Sequence, residues 1–301
     1  MFSSHNGGND LTKMLDGLTK LQVPAGGWKL IAVDNASTDG SGEIMRSYAD
    51  RLPITVLYEP VNGKNRALNL ALDHAEGDFY ILTDDDVIVR DDWLVRWRDA
   101  ADSQTSFDLF AGFTRSILPY QPPRWILDGV NVGVLYASHE GMQEGPCHVY
   151  SMFGTNMAIR ASVFQTGVRF STEIGPDGSP NYAMGSETEL GLRLQAQGYK
   201  CWFTAGPIVE HIVHSDQLEK SWILKRGYRW GRGWGRMGIP YHCPIDVLAR
   251  KNTLKTLVYP LLLPFLPKHV SWRRQWQLMV DRGYEDGARQ NDGLKLRWVQ
   301  E

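Results

Sequence analysis

Three consecutive carboxylates, Asp84, Asp85 and Asp86, follow the apolar segment Phe79–Thr83. A strand that ends there would place them at the carboxyl edge of a sheet, where open α/β sheets bind their ligands. Carboxylates packed this closely repel one another, and a hard divalent cation with oxygen ligands relieves that repulsion. The cluster is a candidate site for a metal ion that carries a phosphate. The same pattern also suits a solvated acidic turn.

The segment NGKNR, residues 62–66, follows one predicted strand and begins a predicted helix. The first backbone amides of a helix have no partner within it, so they bind anions, and the two cationic side chains could assist. Lys64 and Arg66 are therefore candidates for contact with a diphosphate. A solvent-exposed lysine is the alternative for Lys64.

The first part of the chain alternates between helical and extended patterns, which positions these residues at strand ends. The spacing of apolar residues predicts helices over residues 10–21, 41–51 and 65–75, and strands over residues 28–33, 54–58 and 79–83. This alternation is typical of a doubly wound α/β sheet that is largely parallel. A further helix is predicted over residues 220–236, where cations alternate with aromatic side chains.

The composition sets broad limits on the function. The chain has 301 residues, of which 43% are hydrophobic and 22% charged, so we expect one sizeable domain with an extension, or two small domains. The formal net charge of -2 gives no support to nucleic-acid binding as the main function. Cys147, Cys201 and Cys243 are far apart in the sequence and form no CxxC, which argues against a disulfide framework or a zinc site and favours a reducing compartment.

Two further features concern membranes. The opening MFSSHNGG lacks the basic start and apolar core of a signal peptide, so we expect the protein in the cytoplasm or at the inner face of the membrane. The apolar run over residues 254–267 is shorter than the ~20 residues of a spanning helix and should be broken by Pro260 and Pro264. It fits core packing or shallow seating in a membrane interface beside Trp272 and Trp276.

Six segments occur in a recognisable order between residues 1 and 215. They are SSHN, VDNASTDGS, NGKNRALNLAL, AEGDFYILTDDD, FGTNMAIRASVF and GSETELGLRLQAQGY, followed by Val209, Glu210 and His211. This series resembles the family 2 glycosyltransferases of the GT-A fold. The resemblance implies an α/β nucleotide-sugar-binding and catalytic domain over residues 1–215. Residues 216–301 are expected to form a mainly helical C-terminal extension. Its cations and aromatics over residues 220–236 fit contact with a membrane or an anionic acceptor, through residues 216–280, or a helix packed on the catalytic domain with its charges in water.

The resemblance also assigns the metal ligands and the catalytic base. Asp84 opens the family's D-x-D motif, Asp86 aligns with its metal-binding aspartate, and His211 matches a histidine near the metal, with His214 as the alternative. Mn²⁺ or Mg²⁺ is the implied cofactor. Glu187 aligns with the general base that takes the proton of the acceptor hydroxyl.

The acidic residues of this helix also have a simpler explanation. Glu187 and Glu189 both favour a helix N-terminus through the macrodipole, a contribution of ~0.3–1 kcal/mol each. For Glu189 this explanation is as good as a functional one. For Glu187 the alignment favours catalysis.

Other residues are assigned to the donor by the same resemblance. The implied contacts with the nucleotide or the sugar are Ser3, His5, Asn6, Asn35, Arg66, Asp84, Asp85 and Asn156. Asn35 stands where the family has a second aspartate, which leaves the identity of the base open. The family also has a hydrophobic strand of about five residues before the SSHN turn, whereas only Met1 and Phe2 precede Ser3. We therefore expect a truncated or misassigned start, or a partner segment in that place.

The resulting hypothesis is an inverting, metal-dependent transferase. It would move a sugar from a nucleoside diphosphate, with UDP favoured, to a hydroxyl of a glycan, polysaccharide or glycolipid. Two alternatives remain: a nucleotide-sugar-binding module without turnover, and a sugar nucleotidyltransferase.

Overall fold

The computed structural model describes residues 1–139, 141–242 and 245–291. Within these ranges the strands are β1 Phe2–Ser4, β2 Leu30–Asn35, β3 Ile54–Glu59, β4 Phe79–Thr83, β5 Val87–Val89, β6 Leu109–Ile117, β7 Gly145–Cys147, β8 Asn156–Arg160 and β9 Cys201–Ile212. The helices are α1 Gly8–Leu18, α2 Ser41–Arg46, α3 Lys64–Asp73, α4 Trp93–Ser103, α5 Arg124–Leu127, α6 Val132–Tyr136, α7 Ala161–Gln165, α8 Ser186–Ala196, α9 Lys220–Met237, α10 Ile245–Leu262 and α11 Lys268–Arg289.

The helices and strands predicted for the first 83 residues are all present. In α1 the residues at helical spacing, Leu11, Met14, Leu15 and Leu18, are the buried ones, as the periodicity predicts. All six residues of β2 are buried, which explains its continuous apolar run. The main difference is α2, which ends at Arg46 rather than continuing through residue 51.

The chain forms two compact units. The first contains Met1–Ile117, Ala137–Thr172 and Ser186–Ile212, and the second contains Leu118–Tyr136, Glu173–Gly185 and Val213–Glu301. The predicted boundary at residue 215 is close to the last of these transitions. No pattern in the sequence predicts that two internal segments, 118–136 and 173–185, belong to the second unit.

The first unit contains two sheets. One has the order β1-β2-β3 and is parallel throughout, as predicted. The other has the order β4-β8-β6-β9-β5, with β7 paired to β9, and only its β6/β9 pair is parallel. The predicted parallel arrangement therefore describes the first sheet, whereas the second is mixed.

Met1 connects the two sheets. Its amino group donates a hydrogen bond to Ile81 O at 2.7 Å, and its carbonyl accepts one from Thr83 N at 3.1 Å, so β4 runs parallel to the start of the chain. Burial lowers the pKa of this amino group to about 5. The first strand is thus present over three residues, and a cavity of about 620 Å³ lies next to Met1 between β2 and β4.

Close packing of α9 against α11 organises the second unit. A Cβ added at Gly231 would lie 2.1 Å from Val280 O, and one added at Gly283 would lie 2.0 Å from Tyr228 O. Only glycine lets the two helix backbones approach this closely. The predicted helix over residues 220–236 is confirmed, and one face of it is an intramolecular packing surface.

The apolar run over residues 254–267 is largely exposed, so it does not form core packing, whereas its seating in a membrane interface stays a prediction. Helix α10 continues through Pro260 to Leu262, so the predicted break there is wrong, and Pro264 lies in a 3-10 turn, Leu263–Phe265. Trp272 and Trp276 are buried in the core of the second unit. Among the described residues, no helix has both the length and the hydropathy needed to cross a membrane.

Two of the three cysteines are neighbours in space. Cys147 and Cys201 are paired residues of β7 and β9, and their sulfur atoms lie 3.4 Å apart as free thiols. Their separation in the sequence was therefore a poor guide to their separation in the fold. Cys243 lies outside the described residues.

Candidate functional site

The carboxyl ends of four parallel strands meet on one side of the first unit. The turns after β1, β2, β3 and β4 carry the predicted site residues, because parallel strands end at a common edge. Helix α3 starts directly after the third of these turns, at Lys64. The fold therefore gathers residues that are distant in the sequence.

Lys64 lies between two of the predicted functional carboxylates. Its Nζ is 2.6 Å from Asp84 Oδ1 and 3.3 Å from Glu187 Oε1, and all three side chains are largely buried. Burial alone would lower the pKa of Lys64, but the two carboxylates raise it above its usual value. Burial raises the pKa of Asp84, and the charge of Lys64 opposes that shift. The ammonium thus compensates two acids that would otherwise repel each other.

Glu187 is positioned by the first turn of α8 and by a glycine opposite it. A Cβ added at Gly154 would lie 2.2 Å from Glu187 Oε1 and 2.8 Å from Lys64 Nζ, so the FGTN segment leaves room for this pair. Glu189, on the same turn, is buried and forms a two-bond ion pair with Arg193 at 2.6 and 2.9 Å. This ion pair gives Glu189 a structural role within α8.

Asp85 is held by a residue that the sequence reasoning did not select. Ser4 Oγ donates a short hydrogen bond to Asp85 Oδ2, joining the end of β1 to the acidic cluster. Burial and the charges of Asp86 and Asp84 raise the pKa of Asp85 to about 7. The carboxyl group therefore changes charge near neutral pH, and a bound cation would favour its ionised form.

Asp86 and His211 face each other across β5 and β9. His211 Nε2 lies 3.3 Å from Asp86 Oδ2, and Ile212 N donates to Asp86 O at 2.9 Å. Burial would raise the pKa of Asp86, but the hydrogen bond with His211 and its charge hold that pKa below its usual value. His211 lies within β9, rather than after a strand as the sequence suggested.

The residues at this edge offer part of a cation site. Asp86 Oδ1 is buried without a hydrogen-bond partner, and an oxygen beside an imidazole is a suitable donor pair for Mn²⁺. No group of three or more metal-binding side chains is assembled among the described residues. Asp86 and His211 therefore fit a metal whose remaining ligands come from water or from phosphate, whereas Asp84 is already paired with Lys64. His214, the alternative ligand, is exposed at the start of a 3-10 turn in the second unit.

The turns after β1 and β2 bind each other through side chains. Asn6 Oδ1 accepts from Thr38 N at 2.8 Å, and Asn6 N donates to Ser37 Oγ at 3.0 Å. His5 Nδ1 lies 2.7 Å from Asn35 O, and both His5 and Asn6 are exposed. Asp39 accepts from Gly8 N and from Ser41, and these bonds lower its pKa. These contacts order the exposed edge where a nucleobase was predicted.

The structure shows how the Asn35 side chain is bound within the protein. The side chain is buried, with Nδ2 donating to Val61 O at 2.8 Å and to Glu59 O at 3.3 Å, and Oδ1 accepting from Gly63 N at 2.8 Å. Both donors are therefore used within the protein. Asn35 holds the turn that precedes Lys64, and its predicted contact with a base stays a prediction.

Asn156 is bound within the protein in a similar way. Its Nδ2 donates to Phe113 O and Pro207 O at 2.9 and 2.8 Å, and its Oδ1 accepts from Trp93 Nε1 at 2.9 Å. The residue is fully buried and joins strands, and its predicted contact with the donor stays a prediction. Ser3 is half-buried in β1 and Arg66 is exposed on the first turn of α3, and their predicted donor contacts remain predictions.

Three residues contribute to this site although the sequence predicts their roles weakly or not at all. The sequence offers Lys64 either as a contact with the diphosphate or as a solvent-exposed lysine, and it does not single out Ser4 or Gly154. Each lies inside a segment that was recognised, namely NGKNR, SSHN and FGTN. A lysine next to the turn glycine and a glycine before a buried strand are the only local signals.

Comparison with known proteins gives a family match. The sequence model described as Glycosyl transferase family 2 matches residues 2–167, which is more than half of the chain. The poly(ribitol-phosphate) beta-N-acetylglucosaminyltransferase TarS of Staphylococcus aureus is 30% identical over 100 residues, or 33% of this chain and 17% of TarS. The glycosyltransferase AglE of Haloferax volcanii is 24% identical over 270 residues, which cover 88% of this chain and 79% of AglE.

Solved structures resemble the whole fold at low sequence identity. The mannosyltransferase PcManGT from Pyrobaculum calidifontis, in complex with GDP-Man and Mn²⁺, has a TM-score of 0.61 at 16% sequence identity. The match covers 94% of this chain and 85% of the PcManGT chain. The structure of S. aureus TarS 1–349 in complex with UDP has a TM-score of 0.55 at 15% sequence identity. The match covers 96% of this chain and 90% of the TarS chain in that structure.

Proposed function

The chain belongs to glycosyl transferase family 2, and from this membership we propose that it is an inverting glycosyltransferase acting on a nucleoside diphosphate sugar. The predicted GT-A fold is confirmed by the architecture and by the structural matches. The observation that supports the activity best is the placement of Glu187 beside Lys64 and Asp84 at the carboxyl edge of the parallel strands. The proposed base, Glu187, then lies in one site with Lys64, a cation that can contact the diphosphate of the sugar donor.

Glu187 serves as the general base in this proposal. The acceptor oxygen attacks the anomeric carbon and forms the new glycosidic bond, while its proton passes to the Glu187 carboxylate. The bond between the anomeric carbon and the diphosphate oxygen breaks, and that oxygen keeps the electron pair. Attack on the face opposite the leaving group inverts the configuration. Proton transfer to a positioned carboxylate contributes roughly 10² to 10⁴ in rate.

The negative charge that develops on the diphosphate needs cations. Lys64 is already in the site, and Arg66 lies on the exposed first turn of the same helix. Asp86 and His211 would hold Mn²⁺ or Mg²⁺, which supplies further positive charge to the diphosphate oxygens. Ser4 keeps the Asp85 side chain fixed beside them.

We propose UDP as the nucleotide and a hydroxyl group of a glycan, polysaccharide or glycolipid as the acceptor. PcManGT was solved with GDP-Man and TarS with UDP, so the relatives support a nucleoside diphosphate in general. UDP and GDP sugars should therefore be compared in parallel. Binding of each donor, with and without Mn²⁺, is measured as an increase in the melting temperature.

The central test is Glu187→Gln, which keeps the shape of the side chain and removes its basicity. We expect transfer and donor hydrolysis to fall at least about a hundredfold, with donor affinity nearly unchanged. Glu76→Gln, at an exposed carboxylate of the same unit, is the matched control and should keep full activity. Asp86→Ala should instead abolish the effect of added metal on donor binding.

The outcomes separate the competing functions. Transfer by Glu187→Gln at the wild-type rate would refute the base assignment while leaving the family activity intact. Tight donor binding by the wild-type protein with no turnover of any donor would favour a binding module. Release of pyrophosphate together with a nucleotide sugar would identify a nucleotidyltransferase.

A further inference from the structure

An exposed apolar surface remains on α10 and the 3-10 turn that follows it. Soluble proteins rarely expose several large hydrophobic side chains side by side, and a continuous group of them indicates a binding surface. Their exposed fractions are Leu254 62%, Leu257 69%, Leu261 71%, Leu262 48% and Phe265 87%. We call these five residues the apolar face.

The opposite side of α10 is fixed within the second unit. Leu248 and Asn252 are buried, and Asn252 donates to Glu285 Oε2 at 3.0 Å. Lys255 forms an ion pair of 2.6 Å with Asp281, which is completely buried in α11. Residues spaced by three and four along a helix share one side, so these contacts direct Leu254, Leu257 and Leu261 outward. The exposure of the apolar face is therefore a consequence of how α10 packs on α11.

All charged side chains in the sequence segment that carries the apolar face are cations. No aspartate or glutamate occurs between Asp246 and Asp281. The exposed cations in that interval are Arg250, Lys251, Lys268, Arg273 and Arg274. Arg250 and Lys251 lie one turn before the apolar face, and Lys268 follows it at the start of α11. Apolar side chains bordered by cations, without acids, match the chemistry of an anionic lipid surface.

We propose that the apolar face docks on the surface of a bilayer that contains anionic phospholipids. Leu254, Leu257, Leu261 and Phe265 enter the boundary between headgroups and acyl chains, while the cations at both ends contact lipid phosphates. The helix lies along the surface, in agreement with the finding that no described helix could cross a bilayer. This surface is distinct from the sugar-donor site, and the inference does not depend on the proposed transferase activity.

A second copy of the chain is less suited than an anionic lipid surface to cover the apolar face. A symmetric dimer would bring the same patch together from both copies, because a two-fold interface is self-complementary. The cations around the two patches would then face one another without any acidic partner nearby in the sequence. Like charges at an interface oppose association, whereas lipid phosphates favour it.

The test is flotation of the full chain with lipid vesicles. We expect binding to vesicles of phosphatidylcholine with roughly 30% phosphatidylglycerol, and at least about tenfold weaker binding to pure phosphatidylcholine. Raising the salt concentration should weaken binding to the anionic vesicles, since salt screens the contribution of the cations. Equal binding to both vesicle types, or to neither, would overturn the proposal.

Two variants locate the contact. Leu257→Glu should reduce binding to anionic vesicles about tenfold, because it places a carboxylate in the acyl boundary. Val23→Glu is the matched control: Val23 is 67% exposed in the first unit, so the same change should leave vesicle binding and donor-induced stabilisation unaltered. Arg250→Gln combined with Lys251→Gln should reduce binding to anionic vesicles only.

The dimer alternative is tested with the same proteins by sedimentation velocity. Wild-type protein should sediment as a monomer without lipid, and Leu257→Glu should sediment identically. If Leu257→Glu instead converts a dimer to a monomer and leaves vesicle binding unchanged, the apolar face is a contact between copies and the lipid proposal is wrong.

Discussion

The Lys64 ammonium lies 2.6 Å from the Asp84 carboxylate, at the same edge where the sequence places a metal-binding D-x-D motif. The same ammonium is 3.3 Å from Glu187, so one cation contacts both the acidic cluster and the proposed base. Because all three side chains are largely buried, their interaction is screened less by water than a surface ion pair would be. Lys64 is therefore central to the charge balance of the site.

Replacing Lys64 with methionine should damage both activity and stability. Methionine keeps much of the volume but leaves the buried carboxylates of Asp84 and Glu187 without their cation, so the two charges repel each other. We expect kcat/KM for the sugar donor to fall at least about tenfold and the free energy of unfolding to fall by about 1–3 kcal/mol. Initial rates and urea denaturation at pH 7 measure the two effects.

Lys64→Arg and a pH series show whether charge is the cause. Arginine retains the positive charge and should recover part of both losses, although its planar group does not match the ammonium. If charge repulsion is responsible, the stability lost in Lys64→Met should shrink as the pH is lowered and the carboxylates are protonated. An unchanged kcat/KM in Lys64→Met would contradict the assigned role.

Asn35→Ala should loosen the turn that leads into α3. The substitution removes two donated bonds and one accepted bond, and it leaves Val61 O, Glu59 O and Gly63 N without these partners. A loss of about 2 kcal/mol in unfolding free energy is expected. The KM for the donor should rise several-fold, because Lys64 follows this turn directly.

Asn35→Asp distinguishes the structural role from base recognition. The carboxylate can still accept from Gly63 N but would oppose the carbonyl of Val61, so it should destabilise the fold as well. A direct base contact would instead alter the preference between UDP and GDP donors without a change in melting temperature. Asn9→Ala, at an exposed position on α1, is the control and should behave as wild type.

His139 should make the stability of the first unit depend on pH. Its Nδ1 accepts from Thr114 N at 3.1 Å, so its Nε2 is the donor to Ser151 O at 2.7 Å, and the buried ring is neutral. Burial lowers its pKa from 6.5 to about 4. As the pH falls below 6.5 the unfolded chain takes up a proton first, so stability is full above that value and decreases toward pH 4.

The expected loss from His139 is about 3 kcal/mol over this interval, or about 1.4 kcal/mol per pH unit. His139→Asn keeps a side-chain acceptor but cannot titrate. The difference in unfolding free energy between wild type and this variant, measured by urea denaturation from pH 7 to pH 4, should therefore narrow as the pH falls. A constant difference would refute the buried neutral state.

Local patterns carried most of the information about the first unit. The apolar periodicity of α1 and the continuous run of β2 predict which side chains are buried, because each element packs against neighbours close in the sequence. The order of motifs predicts that Asp84 and Glu187 belong to one site, and in the structure Lys64 contacts both side chains. These features follow from short-range spacing and from the rule that parallel strands end at one edge.

Other features depend on contacts that no local pattern encodes. Asn35 and Asn156 are polar residues near the site, and only the fold reveals that carbonyls from other segments already occupy their amides. Cys147 and Cys201 become neighbours through an antiparallel pairing between strands that are 54 positions apart. Pro260 was expected to end a helix, but α10 continues through it.

The close contact between α9 and α11 predicts that replacing one of its glycines with alanine destabilises the protein. At a glycine of α1 the same replacement should stabilise it. Gly231→Ala would place a Cβ 2.1 Å from Val280 O, and a helix backbone cannot move aside as a side chain can. The two helices must separate, so we expect a loss of about 3 kcal/mol or more in unfolding free energy. At Gly17, in α1, the nearest atom to an added Cβ is Val89 Cγ2 at 3.8 Å, an ordinary contact. Gly17→Ala should therefore stabilise the protein by about 0.5–1 kcal/mol, since alanine restricts the unfolded chain and favours the helix. Thermal unfolding of both variants tests the packing directly: if Gly231→Ala is as stable as wild type, the two backbones do not meet at this position.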